Sequence, residues 1–425
     1  MEAAAGGASA ADRPVVFGVY RDGDNNLDAL QERNVTDFIK TTAQNPDLKA
    51  VTEDTTAVGR TPFVQGDLRT ESAEIEGGKE HVLRVQPPMD MSNRATLASF
   101  VERVLAARAA DPRFAHAAVW LDLVDHGGGD GGGLQSDMSG GFMSIEDIAG
   151  AIGDGRAAFL RSHPGADADV TGVLANQCLM ASLGFADALS RAGVHYLAAS
   201  PETMLAPGVP SAKVADALTR GGDWPQAVVD STMKARYGEP GDAYHPAAAF
   251  DVFDLDPKKV AGVRDAVRSF DDAVAAMPHD AQDKPELREL RADVASIKGM
   301  ARFDHSASMP WHADRPALAV YQRIAADARL PQAVRDAATD AATAIRSIVL
   351  AHRESADFGP FHASYSDAAG PTEHLPTTKG SFDGWAGQGV TETHNQFYDD
   401  VDGREFARSI GSYNAREDRE GALDA

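Results

Sequence analysis

The first half of the chain is built on one repeating pattern, and that pattern limits the fold more than any single residue does. Short apolar runs that end in turn or glycine signals alternate with stretches of helical periodicity. "PVVFGVY" (residues 14–20) ends at the turn-rich "RDGDNN", as a buried strand does, and a helix is expected from Leu27. After "MDMSN", Leu97, Phe100, Val101, Val104 and Leu105 share one helical face, with Ser92 or Asn93 available as a cap. "AAVWLDLVDHGGG" is the next strand. "DVTGVLANQC" is another, expected to lead directly into a helix carrying Leu179, Leu183 and Leu189 on one side and stopped by Gly193. "VHYLAAS" follows as a further strand. Alternation of this kind predicts an α/β fold: a mostly parallel sheet with helices on both faces. "LKAVTEDTTAV" reads as a weaker strand. Residues 64–68 and 81–85 read as short strands flanking "RTESAEIEGGKE", a surface hairpin.

Beyond "AAAFDVFDLD" the pattern turns helical. Asp256 and Pro257 occupy cap and first-turn positions, with Val260, Val263, Val267, Phe270 and Val274 on the inner face, and helical segments continue to about His352. The expected organisation is a flexible tail over residues 1–13, an α/β domain over 14–254 and a helical region over 255–353. A polar region of unassigned structure, with scattered aromatics such as Phe361, Trp385 and Tyr398, covers 354–425. No internal repeat is visible.

Composition narrows the function classes. A chain of 425 residues, 43% hydrophobic, can bury a sizeable core. Its net charge of −24 argues against nucleic acid and anionic membrane surfaces as partners, both of which need a basic footprint. No apolar run is long enough to span a membrane. "MEAAAGGASAAD" has neither a basic region nor a strong apolar segment, so the sequence as given shows no secretory signal. That leaves a cytoplasmic protein or a trimmed secreted one, with the compartment otherwise undefined. The single cysteine, Cys178, rules out an internal disulfide and a Cys-rich zinc site.

In open parallel sheets, reactive groups gather at the carboxyl ends of strands. Three such ends are polar here: "RDGDNN", "DHGGG" and "NQC". A thiol at a strand-to-helix junction meets unpaired amides and the positive end of the helix, which favour the thiolate. His126, at a neighbouring strand end, would take the thiol proton and later protonate a leaving amine. Gly127 allows its backbone amide to approach a developing oxyanion unobstructed. The His–Cys interval of 52 residues is close to the roughly 50 of caspases. A packing cysteine and a surface or core histidine account for the same residues taken singly.

Five ordered pieces lift the reading beyond single residues: "GVYRDGDNNLDAL", "MDMSNRATLASFVERVL", "VWLDLVDHGGG", "NQCLMASLGFADAL" and "YLAASPET". Together, from about Val15 to Phe253, they resemble the clostripain family of cysteine peptidases, relatives of the caspases. The resemblance implies a caspase-like mostly parallel sheet sandwiched by helices, with a helical C-terminal region. It implies peptide-bond hydrolysis through an acyl-enzyme by a His126/Cys178 dyad, with self-cleavage between the two. In a strand Asp125 points opposite to His126, so it reads as structural. Asp24, Asn25 and Asn26 read as braces at the mouth of the site, or as plain turn formers. The final 70 residues match poorly.

Two positions depart from the family pattern. Asn176 stands where family members commonly carry Asp at the base of the primary specificity pocket, and Gln177 replaces a usually small residue. Both put the usual preference for Arg or Lys in doubt. Pocket candidates are Asn176, with Ser200, Glu202 and Met204 on the following strand end. The chemistry requires no metal or other cofactor, and no tight calcium loop is evident. "DGDNN" and the acidic surface could hold calcium weakly, as some family members use it, although a turn is the better reading. The glycine-rich residues 127–141 read as a long flexible connection that could cover the site and be cut. The expected partner is a protein or peptide substrate. The rival readings are a non-peptidase amidase or acyl transferase with the same dyad, and an inactive caspase-like binding module.

Overall fold

The computed structural model describes residues 14–28, 33–58, 67–237, 245–277, 285–299, 314–355, 368–375 and 397. The expected tail over 1–13, and Phe361, Trp385 and Tyr398, lie outside these. Thirteen strands are described in chain order. β1 (Val15–Asp22), β2 (Leu48–Val58), β3 (Asp67–Glu76), β4 (Lys79–Gln86) and β5 (Ala118–Val124) come first. β6 (Gly133–Ser136), β7 (Gly141–Met143), β8 (Gly172–Asn176), β9 (Tyr196–Ala199) and β10 (Ala249–Asp254) follow. β11 (Asp314–Pro316), β12 (Val349–Glu354) and β13 (Thr372–His374) complete the set. The helices are α1 (Arg33–Gln44), α2 (Arg94–Ala110), α3 (Ile145–Ser162), α4 (Leu183–Arg191) and α5 (Ser211–Thr219), then α6 (Trp224–Met233), α7 (Pro257–Ala275), α8 (Pro285–Ser296), α9 (Ala317–Ala326) and α10 (Gln332–Ile348).

Nine strands form one sheet in the order β12-β10-β9-β8-β5-β1-β2-β3-β4. The central five, β9-β8-β5-β1-β2, run parallel, and both flanks are antiparallel. Period-2 alternation sorts the strand residues into two cores. Val16, Tyr20, Val119, Leu121, Leu123 and Val173 face the layer that includes α2, α3, α4 and α7. Val15, Phe17, Trp120, Val124 and Leu174 face the layer that includes α5 and α6, where Trp120, Tyr196 and Trp224 pack as an aromatic cluster with centroids 4.8–6.3 Å apart. Caps fall where side-chain acceptors precede apolar periodicity: Asn93 accepts from the Ala95 amide, and Asp256 from Lys258 and Lys259. Val260, Val263, Val267, Phe270 and Val274 are buried as their spacing predicts.

Three expectations are corrected. The weak strand at "LKAVTEDTTAV" is the full eleven-residue β2. "RTESAEIEGGKE" is the hairpin expected, but the strands read as flanking it run through it instead: β3 and β4 pair along their length around Gly77–Gly78, whose φ values of 57° and 77° suit a two-residue hairpin turn. These strands are polar because they lie at the sheet margin. β4 is the outermost strand, with Val82, Leu83 and Val85 half exposed. Third, the helical run stops at Ile348, and His352 lies in β12, an antiparallel edge strand that joins the C-terminal half to the main sheet. No helix among the described residues is long and apolar enough to cross a membrane.

Candidate active site

The strand order reverses direction between β1 and β5, and such a switch point opens a crevice at the carboxyl ends of the strands. Residues 24–26 follow β1, His126 follows β5, and Cys178 follows β8 beside it. Val124 pairs with Asn176 in the parallel register, so His126 and Cys178, each two residues on, leave adjacent strands at the same level. The Cys178 side chain packs against the same core as Trp120 and Val124.

His126 is anchored through its main chain. Its carbonyl accepts the Leu134 amide at 3.2 Å and the Gln177 side-chain amide at 2.9 Å. Its ring Nε2 lies 2.8 Å from Asn26 Oδ1. Burial lowers the imidazole pKa, with the Asp137 carboxylate opposing. Gly127 next to it has no room for a side chain, because a Cβ there would overlap the Cys178 carbonyl and crowd Gln177. Gly127 bridges Gly133, and the flanking bonds run from Gly128 N–H to Gly132 O (2.8 Å) and from Leu134 N–H to His126 O. The amide of Gly127 is therefore left out of that ladder.

The Cys178 turn corrects the sequence expectation. The helix does not begin at the thiol: β8 ends at Asn176, and α4 begins at Leu183 behind the Ser182 cap. Residues 177–182 form a turn in which Leu179 takes φ +68°, a strained value for a leucine. The turn is zipped to the loop after β9 by Leu179 N–H to Glu202 O (3.2 Å) and Ala181 N–H to Ser200 O (3.0 Å). The Met204 amide donates to Cys178 Sγ at 3.3 Å, and Sγ lies 3.8 Å from Met204 O. Desolvation pushes the thiol up to about 11, the Met204 amide opposing and the Glu202 and Asp125 carboxylates adding. The thiol is thus neutral and held by main chain in this state, not poised as a thiolate by a helix end. Among the described residues, the His126 ring and the Cys178 thiol are not joined by a hydrogen bond.

The pocket candidates are placed unequally. Met204 is the thiol's neighbour. Glu202 is fully buried, and its carboxylate accepts the Thr203 amide at 2.7 Å. Ser200 Oγ closes the same turn onto Glu202 O at 2.8 Å. Asn176 is buried, its Oδ1 accepting the Val209 amide (2.8 Å) and its Nδ2 donating to Val209 O and Ser211 Oγ (3.3 Å each). Ser211 lines a cavity of about 200 Å³ between α1 and the start of α5, with Lys40, Pro207, Lys213 and Tyr237. Asp122, buried near Ser211, is raised to about 7 by desolvation.

The residues after β1 fasten loop backbone. Asp24 accepts from Ser136 Oγ and the Asp137 amide (2.6 Å each), and Asn25 Nδ2 donates to Asp125 Oδ1 (2.6 Å) and Gln135 O (3.0 Å). Asp125 also accepts the Gln135 amide, away from the His126 ring. The "GGGDGGG" stretch is ordered, contrary to the flexible connection expected: a 3-10 turn (Gly129–Gly131) leads into the β6–β7 hairpin, whose exposed residues are 137–140 and Phe142. The Asp24, Asn25 and Asp125 bonds supply that order. Among the described residues no three His, Cys, Asp or Glu side chains group to hold a metal ion.

Two contributions were missed from sequence. Gln177 ties the Cys178 turn to the His126 carbonyl, occupying space that only a glycine at 133 leaves open. The glycine at 133 was a readable hint. The second is a ribbon of β11 and β13. Thr372 donates both its amide (2.8 Å) and its Oγ1 (3.2 Å) to Ala181 O in the Cys178 turn. On the other strand of the ribbon, the Asp314 carboxylate lies against Gly129 of the His126 loop and bonds His374 at 2.7 Å. Nothing local in the sequence signals this contact.

No protein-family model matches the chain, and no curated protein matches it. Solved structures do. A secreted C11 cysteine protease from Bacteroides thetaiotaomicron, iotapain, superposes with a TM-score of 0.64 at 13% identity, covering 92% of this chain and 99% of that one. A structure of a secreted C11 cysteine protease from the same organism with an irreversible peptide inhibitor gives 0.63 at 12%, covering 92% and 99%. An inactive zymogen C11 protease from Parabacteroides distasonis gives 0.61 at 15%, covering 92% and 98%. At such identities the likeness is one of fold: this chain has the caspase-like α/β architecture of the C11 cysteine proteases.

Proposed function

We propose that this protein is a cysteine endopeptidase of the clostripain kind, with Cys178 as nucleophile and His126 as general base and acid. The observation that carries the reading is the β5–β8 register, which brings the only thiol and a histidine to one level at a switch-point crevice. The fold supports it, since the similar structures are cysteine proteases by name. In the reaction His126 takes the thiol proton and Sγ attacks the scissile carbonyl carbon. The amides of Gly127 and Cys178 receive the oxyanion. The amine leaves with the proton held by His126. Water, deprotonated by His126, then cleaves the thioester, releasing the acid and restoring the thiol. Because burial raises the resting thiol to about 11 and its hydrogen lies toward Met204 O, the S–H must turn from that carbonyl to His126 before transfer, while the Met204 amide can go on stabilising the sulfur.

Cys178→Ala and His126→Ala should each abolish peptide turnover by a similar factor, with unfolding curves near wild type. Retention of more than a few per cent of activity by Cys178→Ala would sink the assignment. Small amide and protein substrates compared in the same assay separate an amidase from an endopeptidase. Self-processing belongs to the same proposal, at the exposed hairpin turn 137–140. Of the two basic residues between His126 and Cys178, Arg156 is bonded to Ala168 O and Ala192 O within the fold. Intact-mass comparison of wild type with Cys178→Ala tests it; a fully active wild type that remains uncut rejects self-processing.

A further inference from the structure

We propose that Asn26 is a positioning residue for His126, holding the imidazole through Nε2 so that Nδ1 is the nitrogen that exchanges the proton with substrate and thiol. This rests on His126 being the general base. An amide carbonyl is an acceptor only, so the 2.8 Å contact between Asn26 Oδ1 and His126 Nε2 requires the hydrogen on Nε2. The neutral ring is then fixed as one tautomer, with its lone pair on Nδ1. When Nδ1 takes up a proton, Nε2–H still donates to Asn26, so no partner changes between the base and acid half-steps.

The support for Asn26 is built into the turn that carries it. Its neighbour Asn25 is buried and spans to Asp125 and Gln135 O. Asn25 Oδ1 also accepts the Leu27 amide at 2.9 Å, closing the turn around Asn26. Arg21, in β1, bonds Asp28 just beyond. The turn thus stands on β1, the strand paired with β5, whose end bears His126. A neutral acceptor also suits the electrostatics. Burial lowers the His126 pKa, and Asp137 from the hairpin opposes it, while Asp125 beneath accepts the His126 main-chain amide. A carboxylate at position 26 would add to the opposing effect of Asp137, raise the ring and keep it protonated over more of the pH range.

The experiment compares wild type, Asn26→Leu and Asn26→Asp by ¹⁵N NMR of histidine-labelled protein and by kinetics, with His126→Gln identifying the resonance among 13 histidines. Wild type should show His126 as the Nε2–H tautomer, and Asn26→Leu, close in volume but lacking an acceptor, a mixture of tautomers. Asn26→Leu should lose roughly ten- to a hundredfold in kcat, a part of the 10²–10⁴-fold that a positioned acid–base group typically supplies, with KM little changed. Asn26→Asp should keep the tautomer and move the acid limb of kcat/KM to higher pH. An unchanged tautomer or an unchanged kcat in Asn26→Leu overturns the proposal. If wild type turns over no peptide, the peptidase reading falls, and the tautomer comparison still decides the role of Asn26.

Discussion

Gln177 donates its side-chain amide to the main-chain carbonyl of His126 at 2.9 Å, so the residue before the thiol is bonded to the backbone of the proposed base. That bond joins the ends of two neighbouring strands, β5 and β8. Gln177→Ala should cost about 1 kcal/mol, the lower range for a lost buried hydrogen bond, because Leu134 still serves that carbonyl. Gln177→Glu should cost more, since a carboxylate would face a carbonyl oxygen with no donor between them. Urea unfolding of both variants checks the order, and Glu equal to or milder than Ala would contradict it.

Asn176 presents both ends of its amide to the segment that opens α5. Asn176→Asp removes the donor and sets a carboxylate beside Val209 O, with the raised carboxyl of Asp122 nearby at Ser211. The expected loss is about 1–3 kcal/mol of stability. Substrates bearing Arg, Lys, Gln or Ala before the scissile bond, assayed in the same variant, test separately whether position 176 also tunes the specificity pocket. A rise in preference for Arg places it there.

Thr372→Val keeps the shape and the main-chain bond but deletes the Oγ1 contact to Ala181 O. We expect a loss of about 1 kcal/mol and a several-fold change in the rate at which iodoacetamide alkylates Cys178. Thr343→Val, which removes a comparable hydroxyl bond from an exposed helix face, is the control and should leave alkylation unchanged. Equal alkylation in both variants would show that the ribbon does not constrain the turn.

Stability should fall as pH rises from about 6.5 to 9, above the range in which His126 and His245, whose pKa values burial lowers, act in the opposite direction. Burial lifts the carboxyls of Asp22 to about 8, with Asp24 adding, and of Glu373 and Asp122 to about 7. A buried acid with a raised folded-state pKa binds its proton more tightly than in the unfolded chain, and that advantage is lost as pH climbs through the folded value. His352 acts in the same direction. Burial disfavours its charge, yet Asp251 and Glu354, each at 2.8 Å, raise it to about 9. Its contribution, at most roughly 3 kcal/mol at 1.36 kcal/mol per pKa unit, is full below about 6.5 and gone above 9. Urea midpoints across this range should decline, and His352→Gln should flatten the upper part of the curve.

The central strands were legible because burial on both faces leaves near-continuous apolar runs such as "AAVWLDLV", bounded by glycine or turn residues. β2 and β3 were under-read because they carry Thr, Ser and Glu among their apolar residues, and their pairing is set by register rather than hydrophobicity. The positions of His126 and Cys178 followed from strand ends. The delay of α4 to Leu183 did not, because Leu179 falls in phase with the helix while its backbone takes a left-handed turn. The ribbon was invisible for another reason: Thr372 and Ala181 are 191 residues apart, and no local pattern records a contact of that range.

That separation has a consequence for the order in which the molecule matures on the ribosome. Domains assemble as the chain emerges, N-terminal parts first, so β1 through β9 can pair before β11 and β13 are synthesised. The carbonyl of Ala181 must wait for Thr372. Throughout that interval the cysteine turn has its bonds to Ser200 and Glu202 but lacks its outer clamp, and its final geometry is set only after Thr372 has been added.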